Sequence, residues 1–370
     1  MTTTFIGERP VRLSFAAVAA ALVLAACTGG EQRGSDSAAG TVAGGSGGVD
    51  LTGAGATFPY PIYSKWFHEY AQQKGVKINY QSIGSGGGIR QLSEGTVDFG
   101  ASDSPMTDEE IARAKGGPVL HVPTVLGAVV LTYNLPGVSQ SLKLTPEVIA
   151  DIYLGRIVKW NDARIASLNQ GAQLPNADIV VVHRSDGSGT SFVFTDYLTA
   201  VSPDWARGPG KGKEVQWPVG LGGKGNEGVA GQVKQTPNAI GYVELAYARQ
   251  NRLPAASVRN ATGNYVEPSI ESITAAAQGA VASLPPTTDF RVSIVNAQGA
   301  NAYPISSFTW ILLYRTQANT DKGRKLIDFL RWALRDGQGM APALDYAPLP
   351  QTMVPTLDAR LDSVRLGTAS

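Results

Sequence analysis

Residues 181–194 read VVHRSDGSGTSFVF. A β-branched run from Ile179 to Val182 meets Arg184 and Asp186, then the small-residue stretch Gly187-Ser188-Gly189-Thr190-Ser191, and an aromatic helical pattern follows. The pattern predicts a buried strand that passes over a glycine-rich turn into a helix. A helix start leaves N–H groups unpaired and carries about half a positive charge. Such a junction is where α/β folds place bound anions.

The same order of strand, glycine turn and helix recurs from residue 50 onward. Val49 to Thr52 leads into Gly53-Ala54-Gly55-Ala56-Thr57-Phe58 and a helix from about Pro59 to Gln73. Proline suits that first turn because its missing N–H is an orphan there anyway. Lys77 to Gln81 leads into Gly84-Ser85-Gly86-Gly87-Gly88 and a helix through Ile89, Leu92 and Glu94. Val97 to Asp103 precedes Ser104-Pro105, and Thr107 with Glu110 makes a capping box for a helix over 108–114. Alternating strands and helices predict an α/β protein with largely parallel sheets and ligands at the carboxyl ends of the strands. Two long apolar runs, Val119 to Leu135 and Ile305 to Tyr314, read as crossovers between two lobes. Lobe one then comprises 50–122 plus 304–370, and lobe two 123–303. A helix over 270–284, a strand over 291–295 and closing helices over 321–335 and 353–364 complete the expected elements.

Before residue 50 the pattern is different. Arg9 and Arg12 precede an apolar stretch from Leu13 to Leu24, too short to span a membrane but suited to a signal peptide over 1–26. It ends Leu24-Ala25-Ala26-Cys27 and resembles a bacterial lipobox, in which Cys27 becomes the lipid-modified first residue. An ordinary signal peptide that happens to contain a cysteine is the alternative. Cys27 is the single cysteine, so no internal disulfide is available and the core must hold the domain together. Residues 27–49, rich in Gly, Ser and Ala, read as a flexible tether. These features predict an exported, lipid-anchored protein.

The chain of 370 residues carries 31 basic and 30 acidic side chains. Loss of 1–26 removes Glu8, Arg9 and Arg12 and leaves 29 of each. A neutral protein holds an anion by local electrostatics, not by a global positive field. No long basic tract points to nucleic acid.

Several collinear segments match one family. They are Gly53-Ala54-Gly55-Ala56-Thr57-Phe58-Pro59, Val97 to Asp103, Asp151-Ile152-Tyr153-Leu154-Gly155, Asp186 to Phe192, Gly220-Leu221-Gly222-Gly223-Lys224-Gly225-Asn226 and Gly241-Tyr242-Val243-Glu244. From about residue 51 to 350 the chain resembles the phosphate-binding lipoproteins of bacterial Pst-type ABC transporters. The resemblance implies a two-lobed periplasmic-binding-protein fold of type II, each lobe a mixed, mainly parallel sheet flanked by helices, closing around one phosphate for delivery to an ABC permease. Carried over by motif, the ligand set is Thr57 and the Phe58 amide, Ser85, Asp103, Arg184, Ser188, Gly189 and Thr190, with Asp186 orienting Arg184. One departure is Gly86, where another serine is expected, so a contact there is limited to the backbone.

The residue chemistry fits that implication. Ser and Thr hydroxyls and glycine amides supply donors, and Arg184 supplies the one full positive charge. Asp103 is the odd member. A carboxylate repels an anion unless the anion carries a proton, as phosphate near neutral pH does and sulfate does not. Another tetrahedral oxyanion, sulfate or molybdate, is the alternative ligand. An exported phosphate-ester hydrolase is a weaker alternative: neither Ser85 nor Ser188 sits in a nucleophile-elbow pattern, and no histidine lies at an obvious partner position. No enzyme is therefore expected, nor a cofactor; no metal is expected either, since His68, His121 and His183 lack metal-ligand spacing. The aromatics Trp66, Phe67 and Tyr70 read as one apolar helix face. Gly222-Gly223-Lys224-Gly225 lacks both the phosphate-loop spacing and a clear preceding strand, and reads as a turn near the lobe interface.

Overall fold

The structure is a computed structural model that describes residues 50–367 apart from Ser283 and Pro286. The signal-peptide, tether and Cys27 expectations lie outside the described residues.

Eight strands form one continuous sheet: β1 (Leu51–Gly55), β2 (Ile78–Ser82), β3 (Phe99–Ser102), β4 (Val119–Asn134), β5 (Val180–Arg184), β6 (Leu221–Gly223), β7 (Ala239–Glu244) and β8 (Ser306–Tyr314). Their order is β2-β1-β3-β8-β4-β7-β5-β6. At one end β1 runs parallel to β2 and β3; at the other β5 runs parallel to β6 and β7. The antiparallel strands β4 and β8 join the two parallel halves. This is the mixed, two-lobed α/β architecture expected from the sequence.

The crossover is visible in the register of β4. Ser306 to Tyr314 pair with the stretch Val119 to Ala128, and the next residue, Val129, begins the pairing with β7. Fifteen of its 16 residues are buried, and the last, Asn134, is partly buried. A continuous apolar run is what a strand covered on both faces requires.

Each parallel half feeds its helices through a turn. α1 (Tyr60–Lys74) buries Ile62, Tyr63, Trp66, Phe67 and Tyr70 along one stripe and ends on Gly75 in the left-handed conformation. Phe67 and Tyr70 pack on Phe329 and Trp332 of a C-terminal helix, Thr320–Ala333. α2 (Ser85–Glu94) lies against β1 and β3. α3 (Asp108–Ala112) starts with the capping box of Thr107 and Glu110. In the second half, α4 (Gly189–Val201) follows β5, and α5 (Gly225–Gln235) follows β6 and packs on β5 and β7.

Two expectations are corrected. Residues 291–295 form no strand: Phe290 (φ 61°) and Asn296 (φ 51°) bracket them in left-handed backbone, which breaks an extended ladder at both ends. The stretch is anchored by its ends instead, with Trp310 Nε1 donating to the Phe290 carbonyl at 3.0 Å. Gly222-Gly223-Lys224-Gly225 does follow a strand, the three-residue β6, too short and glycine-rich to be read as one from composition.

Candidate functional site

The first, second and third glycine turns meet the fourth at the middle of the sheet. Thr57, Phe58, Ser85, Asp103, Arg184, Ser188, Gly189 and Thr190 are all buried, none more than 3% exposed where a value is resolved. A Cβ placed on Gly189 would fall 2.3 Å from Ser85 Oγ and 2.5 Å from Asp103 Oδ2. Three segments separated by up to about 100 residues in the chain therefore touch at one point, and glycine is the residue that allows it. The closure is tight elsewhere too, since the Gly86 amide donates to the Gly187 carbonyl at 2.8 Å. That contact gives the Gly86 departure a physical reason: a side chain there would reach within 3.1 Å of Gly187 Cα.

Arg184, at the end of β5, is held on three sides. Its Nε and Nη2 donate to the two Asp186 oxygens at 2.8 and 2.5 Å, and Nη1 donates to Thr190 Oγ1 at 3.2 Å. Burial would raise the Asp186 carboxyl, but the hydrogen bonds and charge of Arg184 and the Gly225 amide outweigh it and hold the group below the ordinary carboxylate value. Three of five guanidinium hydrogens are committed in this way, which leaves one on each terminal nitrogen for another acceptor.

Asp103 lies in different surroundings. Thr309 Oγ1 donates to its Oδ1 at 2.8 Å, and its own amide donates to Ser85 Oγ at 3.1 Å. Burial pushes its carboxyl up to about 7, against the opposing pull of Thr309, Arg184 and Ser85. A carboxyl group that titrates near neutrality thus sits between two hydroxyls, with Thr309 donating to it and Ser85 accepting its backbone amide. Ser188 Oγ accepts the Ser191 amide at 2.9 Å as the α4 cap. The amides of Phe58, Gly189 and Thr190 find no acceptor among the described residues. The arrangement has amide, hydroxyl and guanidinium hydrogens on most sides and a single acidic group on one. Chemically it suits a small oxyanion that keeps a proton.

Several contributors escaped the sequence reading. Asn226, in the first turn of α5, donates from Nδ2 to Thr57 Oγ1 at 2.8 Å and to Thr190 Oγ1 at 3.0 Å. Tyr247 Oη and Tyr346 Oη donate to the Thr57 and Phe58 carbonyls, both at 2.6 Å. Thr309 comes from β8, 206 residues beyond Asp103. Only Asn226 left a signal, since it ends the Gly220–Asn226 segment.

At the cleft margin, Lys213 Nζ meets Glu110 Oε1 at 2.5 Å, and Arg291 Nη1 meets Asp108 Oδ1 at 2.7 Å. The first pair joins α3 to the segment between α4 and β6, and the second joins it to the irregular stretch over 291–295. His183 stacks on Trp217 with ring centroids 4.9 Å apart. His121 Nε2 accepts the Met106 amide at 3.0 Å, and burial pushes its ring down to about 3, so it stays neutral.

Residues 31–336 match a family model described as a PBP superfamily domain. Over 311 residues the chain is 48% identical to the phosphate-binding protein PstS of Pasteurella multocida (strain Pm70), covering 84% of this chain and 89% of that one. The chain belongs to the PstS family of the PBP superfamily. A relative in Methanocaldococcus jannaschii, also named phosphate-binding protein PstS, is 40% identical over 319 residues, covering 80% of this chain and 82% of that one. Among solved structures, a high-affinity periplasmic phosphate-binding protein bound with phosphate superposes with a TM-score of 0.68 at 20% identity, covering 84% and 93% of the two chains. A phosphate-binding protein from Stenotrophomonas maltophilia gives 0.61, also at 20% identity and the same coverage. At that identity the structures speak for the fold. The PstS relatives are named as binding proteins, and within the described residues no helix of the chain is long and apolar enough to cross a membrane.

Proposed function

We propose that the protein captures inorganic phosphate outside the cytoplasmic membrane and hands it to an ABC permease. Phosphate binding is what the names of its PstS relatives state, the Pasteurella multocida protein at 48% identity. The observation that carries the reading at residue level is the buried cluster in which Asp103 alone is acidic toward a ring of donors. In this reading Thr57, the Phe58 amide, Ser85, Arg184, Ser188, Gly189 and Thr190 donate to the phosphate oxygens. Asp103 accepts the phosphate proton, and Asp186 holds Arg184 in register. Sulfate, which has no proton at neutral pH, meets Asp103 acceptor against acceptor.

The mechanism is capture by hinge closure. Lobe one, 50–122 with 304–370, offers Thr57, Phe58, Ser85 and Asp103; lobe two, 123–303, offers Arg184 and 188–190. Support comes from β4 and β8, the two strands that join the halves. A ligand touching both halves is fully engaged only when they meet, so phosphate shifts the population toward the closed form. Export with a lipid at Cys27 would keep the carrier near its permease, although one acyl chain anchors only marginally.

Calorimetric titration of the wild type with phosphate, sulfate and molybdate tests this. Tight binding of phosphate and selectivity of at least about 1,000-fold over sulfate are expected. Equal affinity for both anions would overturn the assignment.

A further inference from the structure

Asn226 is fully buried and makes four hydrogen bonds with atoms of three other residues. Its Oδ1 accepts the Glu244 amide at 2.9 Å. A backbone N–H only donates, so the carboxamide can face just one way, with Nδ2 toward the two threonines. Nδ2 gives one hydrogen to Thr57 Oγ1 and the other to Thr190 Oγ1.

Each threonine oxygen receives a second hydrogen. Thr57 Oγ1 also accepts the Asn226 backbone amide at 3.2 Å, and Thr190 Oγ1 also accepts Arg184 Nη1 at 3.2 Å. The amide, the carboxamide nitrogen and the guanidinium cannot accept in return. A hydroxyl has two lone pairs and one hydrogen. With both lone pairs filled, the O–H of each threonine is all that remains to present to the cavity.

We infer that Asn226 is a positioning residue that makes Thr57 and Thr190 donor-only toward the ligand. The inference rests on the proposed phosphate reading and adds the origin of the site's polarity. Without Asn226 each hydroxyl could turn a lone pair toward the anion. With it, donors are set before the ligand arrives and Asp103 stays the acceptor that reads the proton. Preset dipoles need no reorganisation on binding, which is where a fixed wall gains affinity over a rotating one.

The test is a double-mutant cycle with phosphate titrated by calorimetry. Asn226→Ala and the similarly shaped Asn226→Leu are measured in the wild type and in a Thr190→Val background, with thermal melts confirming the fold. Each change is expected to weaken phosphate binding about 10- to 50-fold in the wild type and by a smaller factor, at most about half as many-fold, beside Thr190→Val, where Thr57 alone is still oriented by Asn226. Thr190 and Asn226 lie in the same half of the molecule, so a role as a plain clasp between halves would show no such coupling. Equal losses in both backgrounds overturn the inference. Nuclear magnetic resonance on phosphate-loaded wild type gives a reading that needs no variant. The Thr57 and Thr190 hydroxyl protons should lie on the side away from Asn226 Nδ2; protons aimed at Asn226 overturn the inference. Wild type that does not bind phosphate overturns the proposed function itself, whereas binding without coupling removes this inference alone.

Discussion

Arg184 and Asp186, two residues apart in sequence, lock together through paired hydrogen bonds of 2.8 and 2.5 Å, with the arginine side chain only 1% exposed. The pair presents a cation whose position is fixed and whose charge is partly offset. Removing one partner of a buried pair leaves the other uncompensated. Asp186→Asn should therefore lower the stability of phosphate-free protein by about 1–3 kcal/mol. Phosphate would restore Arg184's counter-charge, so the rise in melting temperature on adding phosphate should be larger in the variant. An equal rise in both proteins would show that Arg184 does not meet the anion.

Asp103 carries a pH signature. Its folded value of about 7 lies above the ordinary 3.8, chiefly through burial. A raised acid favours the fold while protonated. Its contribution is therefore fully present below about pH 4 and is lost as pH climbs toward 7. The shift sets a ceiling on the order of 4 kcal/mol, because opening of the cleft lets water reach the group. In ligand-free protein, Asp103→Asn should flatten the decline in stability between pH 4 and 7, measured by denaturant unfolding. The same variant should bind sulfate far better than wild type does; unchanged discrimination would remove Asp103 from the selection step.

Gly189 is a test of convergence. Its missing Cβ lets Ser85 and Asp103 come within contact. Gly189→Ala should leave each half folded yet wedge the cleft, cutting phosphate affinity about 100-fold or more and enlarging the radius of gyration in phosphate by X-ray scattering. A Cβ at Gly84 (φ +86°) would meet Asp186 Oδ2 at 2.4 Å, so Gly84→Ala should act in the same way. Scattering curves identical to wild type in both variants would sink the wedge account.

The Lys213–Glu110 pair is one-fifth exposed on each side and bridges the two halves. Exposed and half-exposed pairs contribute about 0.2–1 kcal/mol and weaken in salt. Lys213→Met should loosen phosphate about 2- to 5-fold at low salt and by less at 0.5 M salt. A loss that does not depend on salt would mean that Lys213 acts by packing.

Much of the site could be read from the chain because each motif is local. Arg184 and Asp186 sit two apart, Ser188 to Thr190 form one helix start, and Thr57 and Ser85 each follow a strand in a glycine turn. Thr309, Tyr247 and Tyr346 could not be read that way, and Asn226 showed only as the end of a glycine-rich segment with no role attached. A buried hydroxyl or carboxamide has no local pattern that separates a site residue from a satisfied core residue. The strand expected over 291–295 failed for a related reason: its apolar alternation is local, but the left-handed Phe290 and Asn296 that break it answer to tertiary contacts.

By itself, the order of residues determined the parts: parallel half-sheets, glycine turns at helix starts, and the two long apolar runs that become β4 and β8. Hydrogen bonding within a turn and burial along a strand act over a few residues, so they leave their mark in composition and spacing. Only the tertiary structure decided that four turns share one buried point, that Asn226 faces two threonines, and that Asp103 sits dry enough to hold its proton near neutrality. Those depend on the path of β4 between its two partners, which brings groups more than 100 residues apart within ångströms of each other and takes water away from them.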